Sequence, residues 1–178
     1  MRAATMPTVL LTFAFATLAA CGSDTLHDPL APMAPTRASL ISNAAETKTM
    51  SIRGTLEAHE TDTYQPATNS LVVHLEGTGT ASHIGRFTVV DDGIGFLSTG
   101  LGEGRITFTA ANGDSFTATE TGHAEIAGGI AEVTDEATIT GGTGRFAHAT
   151  GTLTIQRRLD LATGLSTGSF EGTINLAK

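Results

Sequence analysis

The stretch TITGGTGRFAHATGTLTI, from Thr138 to Ile155, contains Gly142-x-Gly144-x-x-Ala147, the letters of a dinucleotide-binding fingerprint. Such a fingerprint holds a pyrophosphate only where a strand precedes the glycines and a helix follows them, because the free amides at the helix N-terminus bind the phosphates. Here the glycines are followed by Thr150, Thr152, Thr154 and Ile155 in strand alternation. Asp160 stands at about the distance of a ribose-binding acid, but it opens DLATG, a turn composition. The stretch therefore reads as two strands joined by a glycine-rich connection, where glycine accepts positive φ at little cost.

The same alternation recurs on both sides. Leu71, Val73 and Leu75; Phe87 and Val89; Ile106 and Phe108; Phe116 and Ala118; Ala137 and Ile139; Leu153 and Ile155; and Phe170, Ile174 and Leu176 are separated mostly by Thr, Ser, Glu or Arg. A period of two with one apolar and one wet face is the pattern of a half-buried strand, and no segment after Met50 sustains a helical period. Asn112-Gly113 between RITFTAA and SFTATET is a strong hairpin signal, and Asp92-Gly93, Gly128-Gly129 and DLATG (Asp160 to Gly164) read as further turns. GTLEA, SLVVHLE, HIGRFTVV, RITFTAA, SFTATET, EVTDEATIT, GTLTIQRRL and GSFEGTINLA make eight strands, an all-β antiparallel domain over residues 50–178. A meander of that number closes into a barrel without edges or splits into a two-layer sandwich; periodicity alone permits both.

The N-terminal region has a different composition. Arg2, the apolar run Val9 to Leu18, and Leu18-Ala19-Ala20 before Cys21 read as a signal peptide over residues 1–20, the run being too short to span a bilayer. LAAC followed by Gly22 resembles the lipobox of bacterial lipoproteins, which makes Cys21 the expected lipidation site and the membrane a partner through that lipid alone. As the only cysteine, Cys21 also leaves no internal disulfide and no thiolate site. Pro29, Pro32 and Pro35 favour extended chain, so residues 21–49 read as a flexible linker. The expected location is the bacterial cell envelope, at the outer membrane where the cell has one, with the globular part in the periplasm or outside. Without Arg2, nine basic side chains face eighteen acidic ones, a balance that argues against nucleic acid as a partner.

TITGGTGRFAHATGTL resembles the GGTGxF-xxAxG turn and following strand of dirigent proteins, and the related GGSGxF-xxAxG of allene oxide cyclases, both eight-stranded antiparallel barrels. With SHIGRFTV and TFTAANGDSFTATETG, the chain is also similar to small bacterial proteins of that barrel superfamily, many of them secreted. The match is specific over residues 138–153 and looser elsewhere. The resemblance implies the closed barrel. The activities it implies are cyclisation of an unsaturated fatty epoxide and stereochemical guidance of phenoxy-radical coupling, but no catalytic residue aligns with this chain and none is carried over. Gly141, Gly142, Gly144, Phe146 and Gly151 match the shared motif and are assigned a structural role in the turn.

Parity singles out the remaining candidates. Glu120 shares the parity of Phe116 and Ala118, Asp135 that of Val133, Ala137 and Ile139, and Arg157 that of Leu153, Ile155 and Leu159; His83 shares that of Phe87 and Val89. Either these groups point inward, where Arg157 is the obvious partner for the carboxylates, or a bulge or strand end reverses the parity and leaves them on a solvated rim. His74 and Glu76 share a strand face but read as surface, and no histidine pair has zinc-helix spacing, so no metal or cofactor is implied. The chain has no G-x-S-x-G and no Trp, and Phe87, Phe96, Phe108, Phe116, Phe146 and Phe170 read as core. The expectation is a lipid-anchored barrel acting by binding, scaffolding or interaction, with a small-ligand isomerase or cyclase acting by confinement as the alternative. A cavity at the barrel mouth of about 300 Å³ or more would favour a small apolar ligand.

Overall fold

The computed structural model describes residues 47–177. The stretch read as a signal peptide, Cys21, and the expected linker up to residue 46 lie outside the described residues. Eight strands follow in order: β1 Thr47–Gln65, β2 Ser70–Ala81, β3 Gly85–Phe96, β4 Leu101–Ala110, β5 Ser115–Ala127, β6 Ile130–Gly142, β7 Thr150–Asp160 and β8 Leu165–Ala177. Each pairs antiparallel with the next, and β8 returns to β1 from Thr47↔Ala177 to His59↔Leu165. That last ladder closes a barrel and excludes the sandwich. Full closure satisfies the backbone along every strand and leaves no edge to pair with another chain.

The glycine-rich connection is a turn. Gly141, Gly144 and Gly151 take φ of 150°, 54° and 146°, and a short 3-10 turn, Gly144–Phe146, carries the chain across the barrel end. No α-helix follows the glycines, so the fingerprint has no phosphate-binding terminus. A register shift between Thr117 and Ala118 lets β5 and β6 bend into this connection. Phe146 is buried there and plugs this end of the barrel, its ring 5.4 Å from that of Phe116.

Five phenylalanines form the centre of the plugged half. Phe108 stacks on Phe116 at 4.8 Å and meets Phe170 at 5.1 Å and Phe87 at 5.3 Å. Ile52, Leu56, Ile106, Leu153, Ile155 and Ile174 complete the layer. Fully burying such side chains stabilises the fold by about 1.5–3 kcal/mol each. Phe96 departs from the expected core: at 36 % exposure it stands at the opposite mouth.

The strand ends at that mouth also differ from the sequence reading. Asp92-Gly93 is not a turn; Gly93 lies within β3, opposite Val73 on β2 and Gly104 on β4. Turns at this end follow Gln65, Phe96, Ala127 and Asp160, and the last two coincide with Gly128-Gly129 and DLATG.

Candidate functional site

Along five strands the inward-facing positions change from apolar to charged as they leave the phenylalanine layer. On β1, Leu56 and Ala58 give way to Glu60 and Asp62; on β3, Phe87 and Val89 give way to Asp91. On β5, Phe116 and Ala118 are followed by Glu120; Asp135 precedes Ala137 on β6, and Arg157 follows Ile155 on β7. The alternation persists without reversal, so Glu60, Asp91, Glu120, Asp135 and Arg157 are all buried. Asp62, further along β1 and exposed, lies outside this floor.

Glycine makes room for them. A Cβ on Gly122 would collide with the Asp135 carboxylate, one on Gly168 would lie 2.9 Å from Arg157 Cγ, and one on Gly104 would lie 3.1 Å from Asp91 Oδ1. Each sits on a neighbouring strand and faces inward. Their missing side chains leave the volume that the charged groups occupy.

Arg157 is the hub of the charges. Its Nη1 donates to Glu60 Oε2 at 2.6 Å, and Nε and Nη2 donate to Asp135 Oδ2 at 3.4 Å. Burial opposes the Arg157 charge, but Asp135 and Glu60 outweigh it and hold the guanidinium in its charged form. Asp135 is pushed above the usual carboxylate range by burial, an effect that Arg157 partly offsets.

Asp91 and Glu120 form a second unit. Burial pushes Glu120 up to about 9, with the negative charges of Asp91 and Asp135 adding to the effect. Burial also raises Asp91, although the hydrogen bond from Glu120 and the nearby Arg157 charge work against it. Glu120 therefore holds a proton at neutral pH and shares it with Asp91. Apart from that shared proton, no group of the described residues donates to the two carboxyls. Asp62 is raised to about 6 by partial burial and by Glu60.

These groups floor a pocket of about 160 Å³ that opens at the barrel mouth. Leu71, Val73, Ala131, Val133 and Leu159 form apolar walls, and Gly93, Gly95, Gly100 and Gly102 leave the β3–β4 side free of bulk. Phe96, Leu97, Leu101, Ile126 and Leu161 ring the opening and stay largely exposed. The volume falls short of the 300 Å³ expected of a drug-sized site. It is close to the roughly 150 Å³ that accepts a benzene-sized molecule.

Glu120, Asp135 and Arg157 are thus brought together, whereas His83 is not. His83 sits in the turn between β2 and β3 with φ of 64°, exposed and at the plugged end, because the turn breaks the parity that would have carried it inward. Glu60 and Asp91 are additions, and parity was the signal that would have found them. His74 projects outward, its Nδ1 2.7 Å from Asp92 Oδ1 and its Nε2 3.3 Å from Glu76 Oε1. Among the described residues no group of three or more His, Cys, Asp or Glu is placed to hold a metal ion.

No family model and no curated protein sequence matches the chain. Solved structures do. The pterocarpan synthase dirigent protein GePTS1 superposes with a TM-score of 0.56 at 16 % identity, over 84 % of this chain and 98 % of that one. PsPTS1, also a pterocarpan synthase dirigent protein, gives 0.53 at 15 % identity, over 74 % of this chain and 97 % of that one. The likeness is one of fold, a dirigent-like barrel, as the glycine turn had implied.

Proposed function

We propose that the protein is a lipid-anchored barrel of the bacterial cell envelope that binds a small, largely apolar molecule in the pocket at its open end. The observation that carries the reading is the pocket itself: an apolar opening and walls above a floor of buried carboxyls that outnumber their donors. Convergent polar groups beneath an apolar cavity, with acids far from their ordinary pKa, are typical of ligand sites. The dirigent-like fold is compatible with a binding or scaffolding role, and the LAAC sequence at Leu18 to Cys21 supports the anchor.

The test is native mass spectrometry of the protein taken from its own envelope, beside a variant with the pocket filled. Gly95 suits that purpose, since a Cβ there meets nothing within 4 Å and the backbone is ordinary. Gly95→Leu should leave the barrel folded and abolish retention of a small molecule. Equal retention by parent and variant would place the ligand elsewhere. One observation favours an isomerase or cyclase acting by confinement instead: Glu120 carries a proton beside the cavity, where a general acid is needed. Chemical conversion of the retained molecule by the parent, lost in Glu120→Gln, would establish that second reading.

A further inference from the structure

We propose that the pocket floor recognises an organic ammonium group, a protonated amine on a body about the size of a benzene ring. The inference rests on the small-ligand reading above and specifies the chemistry of its polar end. Four buried carboxyls meet a single guanidinium, and Arg157 is already committed to Glu60 and Asp135. That leaves Asp91 and Glu120, at 3 % and 8 % exposure, lining the pocket with no donor but the one proton they share and no cation of their own. A buried acceptor without a donor is costly, so the missing partner has to donate. An ammonium offers up to three donors and the compensating charge, a hydroxyl offers one donor and no charge, and an anion is repelled. The described residues hold no carboxylate set arranged for a metal ion, and the apolar opening suits a hydrocarbon body.

The proton balance follows. An ammonium entering the site displaces the proton that Glu120 shares with Asp91, and that proton passes to the buffer. A neutral amine takes the same proton from Glu120 and becomes the ammonium in place. The titratable and charged groups on inward positions around the site are Glu60 and Asp62 from β1, Asp91 from β3, Glu120 from β5, Asp135 from β6 and Arg157 from β7, while Glu103 of β4 and His123 of β5 border the pocket from outward, exposed positions. Of these, Glu120 has the pKa that makes proton release measurable at neutral pH.

Isothermal titration of the full chain at pH 7 with toluene, benzylamine, benzyl alcohol and benzoate tests the proposal with probes of nearly equal size. Benzylamine should bind at least about tenfold more tightly than benzyl alcohol, with benzoate weakest. Repetition in buffers of different ionisation enthalpy should reveal a proton released with benzylamine and none with toluene. Asp91→Asn and Glu120→Gln should each weaken benzylamine by about tenfold and leave toluene unchanged. The buffer comparison needs no variant and stands even where a substitution unfolds the barrel. Tightest binding of the alcohol or of benzoate, or amine binding without proton release, would overturn the ammonium assignment while leaving a small-ligand pocket. Failure of all four probes to bind would overturn the pocket reading itself.

Discussion

Replacing Glu120 by Gln should change how stability depends on pH, and the structure fixes the sign. Glu120 moves from 4.5, its ordinary value, to about 9 in the folded chain. Between those limits the folded state holds a proton that the unfolded state has released. Because stability falls with pH wherever the folded state binds more protons, the contribution is fully present below about pH 4.5 and is lost as pH rises towards 9. The direction is opposite to that of a salt-bridged surface carboxylate. One proton corresponds to a slope of about 1.4 kcal/mol per pH unit, so the ceiling between pH 5.5 and 8.5 is ~4 kcal/mol. Burial of Asp91 and Asp135 acts with the same sign, so the parent slope should not vanish in the variant.

Gln keeps the shape of the protonated acid and a donor for Asp91 but cannot ionise. Urea unfolding of both proteins from pH 5 to 9, at constant ionic strength, should show nearly equal stability at the acid end and an advantage for Glu120→Gln that grows steadily from about pH 5 upwards. The m-values should agree, since the exposed surface is the same. Parallel pH profiles for parent and variant would mean that Glu120 ionises normally, and the account of a proton-holding acid pair would be wrong.

Asp135→Asn and Arg157→Met, singly and together, should be non-additive by about 1 kcal/mol or more, with Arg157→Met the most damaging, since it strips both Glu60 and Asp135 of their partner; chemical denaturation of the four proteins completes the cycle. Gly144→Val should lower stability by about 1 kcal/mol or more, because a β-branched residue is strained at φ of 54° and its Cβ would press on Asp114, and an unchanged melting temperature would contradict a conformational role for the turn. Cys21→Ser should abolish fatty-acid labelling and release the protein from the membrane fraction, with equal labelling of parent and variant counting against the anchor.

The eight strands were legible because threonine alternates with large apolar residues over most of each strand's length. Legibility ended where glycine replaces the apolar partner. Gly93, Gly95, Gly102, Gly104 and Gly122 all sit at inward or interior-facing positions of β3, β4 and β5, yet in sequence they carry the signature of turns. HIGRFTVV stops at Val90, one residue before Asp91, and GTLEA stops at Ala58, two before Glu60. Extending either strand at its own parity brings the missing acid inward. Glu120, Asp135 and Arg157 were visible because their strands read through to the open end. Phe96 and His83 failed for a related reason: each lies where a strand gives way to a turn, and period-two parity carries no information past that point.

The two halves of the barrel depend on one another. Five interior ionisable groups could not be held by a small open sheet, because every carboxyl without a donor subtracts several kcal/mol that local contacts would have to replace. Here the opposing term is remote: phenylalanines and branched aliphatics pack the plugged half, and closure ties all eight strands to that packing. Glycines weaken strands by roughly 0.5–1 kcal/mol each in isolation. In a closed ladder they keep both neighbours' hydrogen bonds, so strand ends can be thinned to open a pocket without fraying. The site is then built on strands rather than loops, and its groups are fixed at the spacing the register dictates. Under the proposed binding role, a substitution at a single inward position, such as Gly95 or Glu120, changes the pocket while the phenylalanine layer and the glycine turn keep the fold.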